Sequence, residues 1–349
     1  MAELLEQASG KNWTLYNGDA CEVVAGLPDE SIGLSAFSPP FASLYVYSDS
    51  ERDMGNCRSY EVFFEHFQFV VAELFRVTKP GRMACIHCFD IPTMKGRDGY
   101  LGCRDFSGDI IRAFQGAGWI MHSPRITIWK CPVVQMQRTK TICLLHKQIK
   151  KDSCVSRVGL PDYVVVMRKP GENPDKVSGE FEDWIGDESF EKRGSYSVSV
   201  WERYASPVWM DINPSRTLQY TTARDDKDER HICPLQLDVI ERCLELWSNP
   251  GDVVLSPFAG IGSEGHCSLL RGRKFVGVEL KPSYYRVAAR NLAAAEAKAA
   301  ESVRTLFDNE NQDGGLVVTT TLTPATPAAS QSRSYDQDID SLESAIDAI

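Results

Sequence analysis

The sequence has no long apolar run, only six histidines and no sign of a secretory leader. A transmembrane helix needs about 18 or more consecutive apolar residues, and no such stretch is present. Residues Met1–Lys11 have neither a basic start nor an apolar middle, which argues against a signal peptide. We therefore expect a cytoplasmic protein without membrane contact.

Paired metal ligands are also scarce. The eleven cysteines are an odd number at irregular spacings, which predicts reduced thiols instead of a disulfide framework. The one compact group is Cys85-Ile86-His87-Cys88. A structural zinc site would need a second ligand pair at a suitable spacing, and none follows. This segment is predicted to be a strand, and no metal site is expected.

Charge is distributed very unevenly. The net charge of −10 argues against a nucleic-acid partner, but residues 125–169 carry ten Lys/Arg and two acids, while residues 171–191 and 308–349 are strongly acidic. A basic segment masked by acidic ones favours phosphate binding, although an ordinary solvated surface is the alternative. The candidates for DNA phosphate contact are Lys147, Lys150 and Lys151.

Strands and helices alternate along most of the 349 residues, which are 43% hydrophobic and can bury a large core. The predicted strands are Trp13–Tyr16, Ile32–Phe37, Met83–Phe89, Trp119–Trp129, Asp252–Leu255 and Lys274–Val278. The predicted helices are Tyr60–Val77, Phe106–Ala117, Leu235–Trp247 and Ser283–Phe307. This order indicates an α/β protein with a parallel sheet and crossover helices. The alternation fails between about Gln135 and Thr222, which reads as an insertion.

The tetrapeptide Ser38-Pro39-Pro40-Phe41 follows a predicted strand. It presents a hydroxyl oxygen, a rigid backbone and an aromatic ring at the strand end. Taken alone, such a tetrapeptide is most often just an extended turn.

A glycine turn follows another predicted strand near the other end of the chain. It reads Ser256-Pro257-Phe258-Ala259-Gly260-Ile261-Gly262, and Glu279 ends the next strand. The pattern fits a dinucleotide fingerprint, with the acid on ribose hydroxyls. Glu264 would repel a pyrophosphate at the helix N-terminus but not a cationic sulfonium. A turn that merely joins strand to helix is the third alternative.

Together, the two motifs resemble those of the DNA amino-methyltransferases, in the order of the beta class. The resemblance implies a Rossmann-like, S-adenosylmethionine-dependent methyltransferase fold with permuted motifs and an inserted DNA-recognition region. It implies that S-adenosylmethionine is the cofactor and DNA the partner, and it leaves open a cognate restriction system. The implied catalytic residues are Ser38, Pro39, Pro40 and Phe41. The implied cofactor-binding residues are Asp19, Ser256, Pro257, Phe258, Gly260, Gly262 and Glu279.

Two positions depart from the family pattern, which commonly has Asp at Ser256 and Lys at Cys233, the latter in His231-Ile232-Cys233-Pro234. The predicted organisation has four parts. They are a catalytic part (12–134), a target-recognition insertion (135–224), a cofactor-binding part (225–307) and a disordered acidic tail (308–349).

The chemistry follows from an amino nitrogen whose lone pair is delocalised into the base. Ser38 and the Pro39 carbonyl can accept its hydrogens, while Phe41 offers a face for an extruded base. Transfer would then be a direct displacement aided by proximity. Methylation of cytosine C5 is not expected, because it requires a cysteine nucleophile. Within the family, Ser38 in first place favours cytosine N4 slightly over adenine N6. The alternatives are a nucleotide-cofactor oxidoreductase and a catalytically idle nucleic-acid-binding module.

Overall fold

The computed structural model describes residues 6–42, 53–93, 95–139, 150–154, 158–177, 202–219 and 234–312, and the side chains of all these except 97, 136–139 and 302–312. The chain divides into two compact units, Met1–Val303 and Arg304–Ile349, and the sheet lies in the first. None of the described helices has the length and apolar character needed to cross a membrane.

The described elements alternate between strands and helices, as predicted. The strands are β1 (Glu6–Ser9), β2 (Trp13–Asn17), β3 (Ile32–Phe37), β4 (Thr78–Cys88), β5 (Ile91–Thr93), β6 (Gly102–Arg104), β7 (Ile120–Met121), β8 (Ile126–Ile128), β9 (Asp162–Arg168), β10 (Val208–Trp209), β11 (Val253–Ser256) and β12 (Lys274–Glu279). The helices are α1 (Ala20–Ala25), α2 (Tyr60–Val77), α3 (Lys95–Asp98), α4 (Phe106–Gly116), α5 (Pro132–Thr139), α6 (Leu237–Trp247), α7 (Ser263–Leu270) and α8 (Pro282–Gln312), with a 3-10 turn at Met54–Asn56.

The main sheet has the strand order β1-β2-β12-β11-β3-β4-β9-β8-β10, with β7 also paired to β9. Its centre, from β2 through β12, β11 and β3 to β4, is parallel throughout. Strands β7, β8 and β9 pair in antiparallel fashion beyond β4. The sheet is therefore parallel at its centre and has antiparallel pairs at both sides, since β1 also pairs with β2 in antiparallel fashion.

Side-chain alternation along the strands divides the core into two layers. One face of the sheet packs against helices α1, α2 and α4, and the other against α6, α7 and α8. On β4, for example, Ala84, Ile86 and Cys88 face the first layer, while Cys85 faces the second. Every residue of β3 is buried, as expected for a central strand covered on both sides. Helices on both faces make this a doubly wound α/β sheet.

Several elements differ from the sequence-based expectation. Strand β9 lies inside the range predicted to be an irregular insertion, and it pairs with β4 in the main sheet. Strand β10 also lies inside the predicted insertion. The predicted strand Trp119–Trp129 is two short strands, β7 and β8, with Pro124 between them. Strand β4 begins directly after α2, at Thr78. Helix α8 continues to Gln312, five residues into the predicted tail, because no glycine or proline interrupts it.

A buried ion pair crosses the centre of the sheet. Arg82, on β4, has a side chain only 1% exposed, and its Nη2 lies 2.6 Å from each carboxylate oxygen of Asp252, just before β11. Between them lies Gly33 on β3, where a Cβ would stand 2.8 Å from the Asp252 Cγ. Glycine at this position therefore lets the carboxylate reach across β3.

Candidate active site

The predicted motifs meet at the point where the sheet changes its winding direction. The chain after β3 crosses to β4 on one side, whereas the chain after β11 crosses to β12 on the other. Strands β3 and β11 are parallel neighbours, so Ser38 and Pro257 leave the same edge of the sheet. The rings of Phe37 and Phe258 lie 5.8 Å apart across this junction. Ligands of open α/β sheets bind in this kind of crevice.

The first motif is rich in hydrogen-bond acceptors. Ser38 is partly exposed, and neither Pro39 nor Pro40 has a backbone N–H, so the carbonyls here have no neighbouring donors within the Pro-Pro pair. A serine nucleophile would need N–H groups beside it to stabilise an oxyanion, and the two prolines cannot supply them. The segment suits a ligand that donates hydrogens, such as an amino group.

Phe41 is half-buried instead of standing free. Its ring packs 4.4 Å from Phe89 and 5.9 Å from Phe106, measured between centroids. The next residue, Ala42, is buried with φ +49, a left-handed conformation that is uncommon for alanine. The chain therefore turns sharply immediately after the motif. Stacking of a base on Phe41 stays a prediction.

Behind Ser38 lies a set of polar residues, His87, Asp162 and Lys130, for which the sequence predicted no role at this site. Ser38 Oγ lies 3.1 Å from both Nδ1 and the carbonyl oxygen of His87. His87 Nε2 lies 3.1 Å from Asp162 Oδ2, which Lys130 also contacts. Burial opposes ionisation of Asp162, but His87 and Lys130 outweigh it and hold the pKa of this carboxyl below its usual value. The signal that could have predicted this set is the apolar run from Tyr163 to Met167, which is typical of a strand and would have allowed pairing with β4.

The glycine turn after β11 has the shape that its sequence predicts. Gly260 and Gly262 have φ values of +54 and +85, which favour glycine. A Cβ on Gly260 would meet no atom of the described residues within 4 Å, so among these residues the space above Gly260 is open. A Cβ on Gly262 would lie 3.3 Å from Ala288 of α8, so here glycine permits close helix packing.

Glu279 is anchored at the end of β12. Its Oε2 accepts from Gly260 N–H and its Oε1 accepts from Lys281 N–H, both at 2.8 Å. A carboxylate has about four lone-pair sites, so two remain for a ligand's hydroxyls. Asp19 follows the adjacent strand β2, where its Oδ1 caps α1 through the N–H groups of Cys21 and Glu22. The two acids therefore end neighbouring strands at one edge.

The remaining turn residues support a nucleoside cofactor such as S-adenosylmethionine. Pro257 is buried and Phe258 partly exposed. Ser256 Oγ is buried and has no hydrogen-bond partner among the described residues. The open space above Gly260 and the free acceptor sites of Glu279 leave room and partners for a ribose, so the residues fit this cofactor.

Two carboxyl groups near the turn, those of Glu264 and Glu279, have raised pKa values. Burial raises the pKa of Glu264 to about 8, and the nearby Glu279 adds to the effect. Burial also raises the pKa of Glu279 to about 7, although the N–H groups of Lys281 and Gly260 favour its ionised form. Glu264 is only 4% exposed, whereas Glu279 is partly exposed. Because Glu264 is the more deeply buried of the two, its substitution is the better test of the raised pKa.

The predicted phosphate contacts are only partly within the described ranges. Lys150 and Lys151 are exposed, while Lys147 lies outside the described residues. Several neighbouring cations are engaged inside the protein. Arg125 pairs with Asp105, Lys130 with Asp162, and Lys169 with Glu30 and the Thr78 carbonyl. Among the described residues of the basic segment, these three cations therefore have acidic partners within the protein.

The motif His231-Ile232-Cys233-Pro234, which departs from the family pattern at Cys233, lies mostly outside the described residues. Of its four residues, the structure describes Pro234.

Comparison with known proteins identifies a family. A family model described as DNA methylase matches residues 32–290. The Type II methyltransferase M.BamHI of Bacillus amyloliquefaciens is 26% identical over 266 residues, which are 76% of this chain and 54% of the relative. The chain thus spans about half the length of that relative.

Solved structures show the same fold. TTHA0409 of Thermus thermophilus, a candidate DNA modification methylase complexed with S-adenosylmethionine, matches with a TM-score of 0.57 at 25% identity, over 80% of this chain and 93% of that one. The cytosine-N4-specific PvuII DNA methyltransferase matches with a TM-score of 0.55 at 16% identity, over 85% and 96%. These likenesses confirm the Rossmann-like methyltransferase fold predicted from the sequence.

The raised pKa of Glu264 predicts a pH-dependent stability. Its carboxyl is protonated in the fold up to about pH 8, whereas an unfolded glutamate ionises near 4.3. Stability from this group is therefore complete at pH 4 and is lost as pH rises to 8. Without ligand, Glu264→Gln should raise the free energy of unfolding by about 1 kcal/mol or less at pH 5 and by about 2 to 4 kcal/mol at pH 8.5.

Urea denaturation at the two pH values measures this difference. The exposed Glu65 on α2 provides the matched control, because Glu65→Gln should have no pH-dependent effect. Equal stability of Glu264→Gln and wild type at both pH values would show that Glu264 ionises normally in the fold.

Proposed function

The chain belongs to the DNA methylase family, which uses S-adenosylmethionine, and on this basis we propose that it methylates an exocyclic amino nitrogen of a DNA base. The observation that carries the proposal is the placement of Ser38-Pro39-Pro40 beside the glycine turn, at the switch point of the sheet. An acceptor-rich segment and a cofactor-binding turn then share one crevice.

The acceptors suit the chemistry of an amino substrate. An exocyclic amino group carries two hydrogens, and the Ser38 hydroxyl and Pro39 carbonyl offer two oxygens. Holding both hydrogens reduces delocalisation of the nitrogen lone pair into the base and aligns it for attack. Rigid prolines keep these oxygens in place, so little reorganisation accompanies the reaction.

The bound cofactor would supply an electrophilic methyl group on a sulfonium. Glu279 would accept hydrogens from ribose hydroxyls, and Asp19 would lie toward the adenine. The turn from Ser256 to Gly262 would enclose the methionine part, with Gly260 leaving space for it. The match of residues 32–290 to the DNA methylase family argues against the oxidoreductase alternative.

We propose a flipped cytosine, modified at N4, as the target in preference to adenine N6. The support is Ser38 in the first position of the motif. Phe41, though packed on Phe89, would support the extruded base. DNA would be held through Lys147, Lys150 and Lys151, and residues 135–224 would contain the target-recognition region. M.BamHI is a Type II methyltransferase, which supports a role in restriction–modification inside the cell.

The role of Ser38 can be tested directly. Ser38→Ala removes one acceptor and leaves the Pro39 carbonyl, so transfer of tritiated methyl groups to DNA should fall about 100-fold, within the range for a lost transition-state contact. Affinity for S-adenosylmethionine should stay unchanged. Ser31, on the surface before β3, provides the control Ser31→Ala, which should retain activity. Full activity of Ser38→Ala would remove the serine from the mechanism.

The ribose contact predicts a selective loss of cofactor affinity. Glu279→Gln replaces one carboxylate oxygen with an amide that cannot accept hydrogens, so binding of S-adenosylmethionine should weaken by about 1.5 to 3 kcal/mol. Isothermal titration calorimetry measures this change, with Glu65→Gln as the exposed control. A nicotinamide dinucleotide should not bind either form. An unchanged affinity in Glu279→Gln would contradict the assignment.

A further inference from the structure

The set of residues behind Ser38 forms a continuous hydrogen-bonded chain, Ser38–His87–Asp162. We propose that His87 acts through Ser38 as the acceptor of the proton that the amino group releases on methylation. This inference rests on the proposed function. His87 is a positioning residue in this account, because Ser38 stands between it and the base.

The register of the sheet places all three side chains on one face. Phe37 on β3 pairs with Ile86 on β4, so Ser38 follows beside His87. His87 in turn pairs with Val164 on the antiparallel strand β9. Asp162 is two residues from Val164, which is the diagonal neighbour on the same face. His87 and Asp162 therefore lie on strands β4 and β9, and Ser38 is the first residue after β3.

Asp162 determines which imidazole nitrogen carries the hydrogen. The low pKa of its carboxyl keeps it ionised at neutral pH, and a carboxylate can only accept hydrogens. His87 Nε2, 3.1 Å away, must therefore be the protonated nitrogen. In the neutral imidazole Nδ1 is then bare and can accept from the Ser38 hydroxyl at 3.1 Å.

The Ser38 hydroxyl consequently donates its hydrogen toward His87, and a lone pair of its oxygen faces the crevice. Its hydroxyl has one hydrogen and two acceptor sites. Both inward partners, His87 Nδ1 and the His87 carbonyl, are acceptors at 3.1 Å. Whichever of them receives the hydrogen, the serine oxygen stays free to accept from an amino group in the crevice.

The proton balance of the reaction then closes. When the nitrogen–carbon bond forms and the sulfur–carbon bond breaks, the sulfur becomes a neutral thioether and the nitrogen gains a positive charge and must lose one proton. That proton passes to Ser38 Oγ as the hydroxyl hydrogen passes to His87 Nδ1. The imidazolium so formed lies against the Asp162 carboxylate, which stabilises it until the proton leaves to solvent.

Several charged groups lie around His87, and Asp90, Asp105 and Arg125 act on the adjacent Cys88. The His87 side chain is 11% exposed. Asp162 contacts it directly, and Lys130 contacts Asp162. A small cavity beside it is lined by apolar residues and by Cys85 and Cys243; burial keeps the pKa of the Cys85 thiol well above its usual value. The charged residues of α6, which covers this face, pair elsewhere. These pairs are Asp238 and Glu241 with Arg216, Arg242 with Asp211, and Glu245 with Arg271.

The test follows single-turnover transfer of tritiated methyl groups to plasmid and phage DNA from a methylation-deficient host, between pH 5 and 9. In the wild type the rate should rise with pH, because the transfer needs a base that can accept the proton. His87→Gln cannot take up a proton, so its rate should be about 100-fold lower and should lack this rise. Affinity for S-adenosylmethionine should not change. The exposed His66 on α2 gives the control His66→Gln, which should behave as wild type.

A second variant separates proton uptake from simple packing. Asp162→Asn removes the negative charge that stabilises the imidazolium, so the rise in rate should move to lower pH. A merely structural role for Asp162 would lower the rate without moving its pH dependence. A wild-type rate and pH profile in His87→Gln, or an unshifted profile in Asp162→Asn, would overturn the proposal.

Nitrogen-15 NMR of histidine-labelled protein examines the chain without any reaction, with the His87 signal assigned by its loss in His87→Gln. We expect hydrogen on Nε2 and a bare Nδ1 at neutral pH, and hydrogen on Nδ1 would overturn the proposal. If the wild type methylates none of these DNAs, the proposed function fails. The NMR result would still report separately on whether the hydrogen-bonded chain exists.

Discussion

The arrangement of the site depends on the buried pair between Arg82 and Asp252, because it joins the two halves of the chain across the sheet. The carboxylate reaches over Gly33 of β3, so β4, β3 and β11 are tied together at their entry ends. Removing either partner would leave a charge buried alone, which is a large penalty. With these strands in parallel, Ser38 and the glycine turn must leave the sheet at the same edge, although more than 200 residues separate them.

At that edge the chemistry is divided between donors and acceptors. The Gly260 N–H of the glycine turn donates to Glu279. This hydrogen bond keeps the acid in place and leaves it able to accept further hydrogens. The Ser38-Pro39-Pro40 segment likewise presents oxygens, and its prolines contribute no donors. Both halves of the crevice therefore suit ligands that bring hydrogens, the hydroxyls of a ribose on one side and an amino group on the other.

Much of this could be predicted from the sequence, because strand ends, glycine turns and helical periodicity are local signals. Strand β3 and helix α2 have the predicted bounds, and the two motifs lie where their strands end. What could not be predicted depends on pairing between distant segments. Strand β9 was missed, although the apolar run from Tyr163 to Met167 is typical of a buried strand, because the surrounding charge and glycine suggested an insertion. Without β9, no local pattern connects His87 with Asp162. The ion pairs of Arg125, Lys130 and Lys169 could not be predicted for a similar reason, since pairs with distant acids are invisible in composition.

The most direct test of the account is the chemical identity of the product. The purified protein would be incubated with unmethylated DNA and S-adenosylmethionine carrying a deuterated methyl group, and the DNA digested to nucleosides for mass spectrometry. The account predicts a deuterated methyl group on an exocyclic nitrogen, with N4-methylcytosine as the product. Label in 5-methylcytosine would contradict the amino-group mechanism, because attack through carbon needs a covalent enzyme nucleophile that Ser38-Pro39-Pro40 does not provide. The absence of any labelled nucleoside would contradict the proposed activity itself.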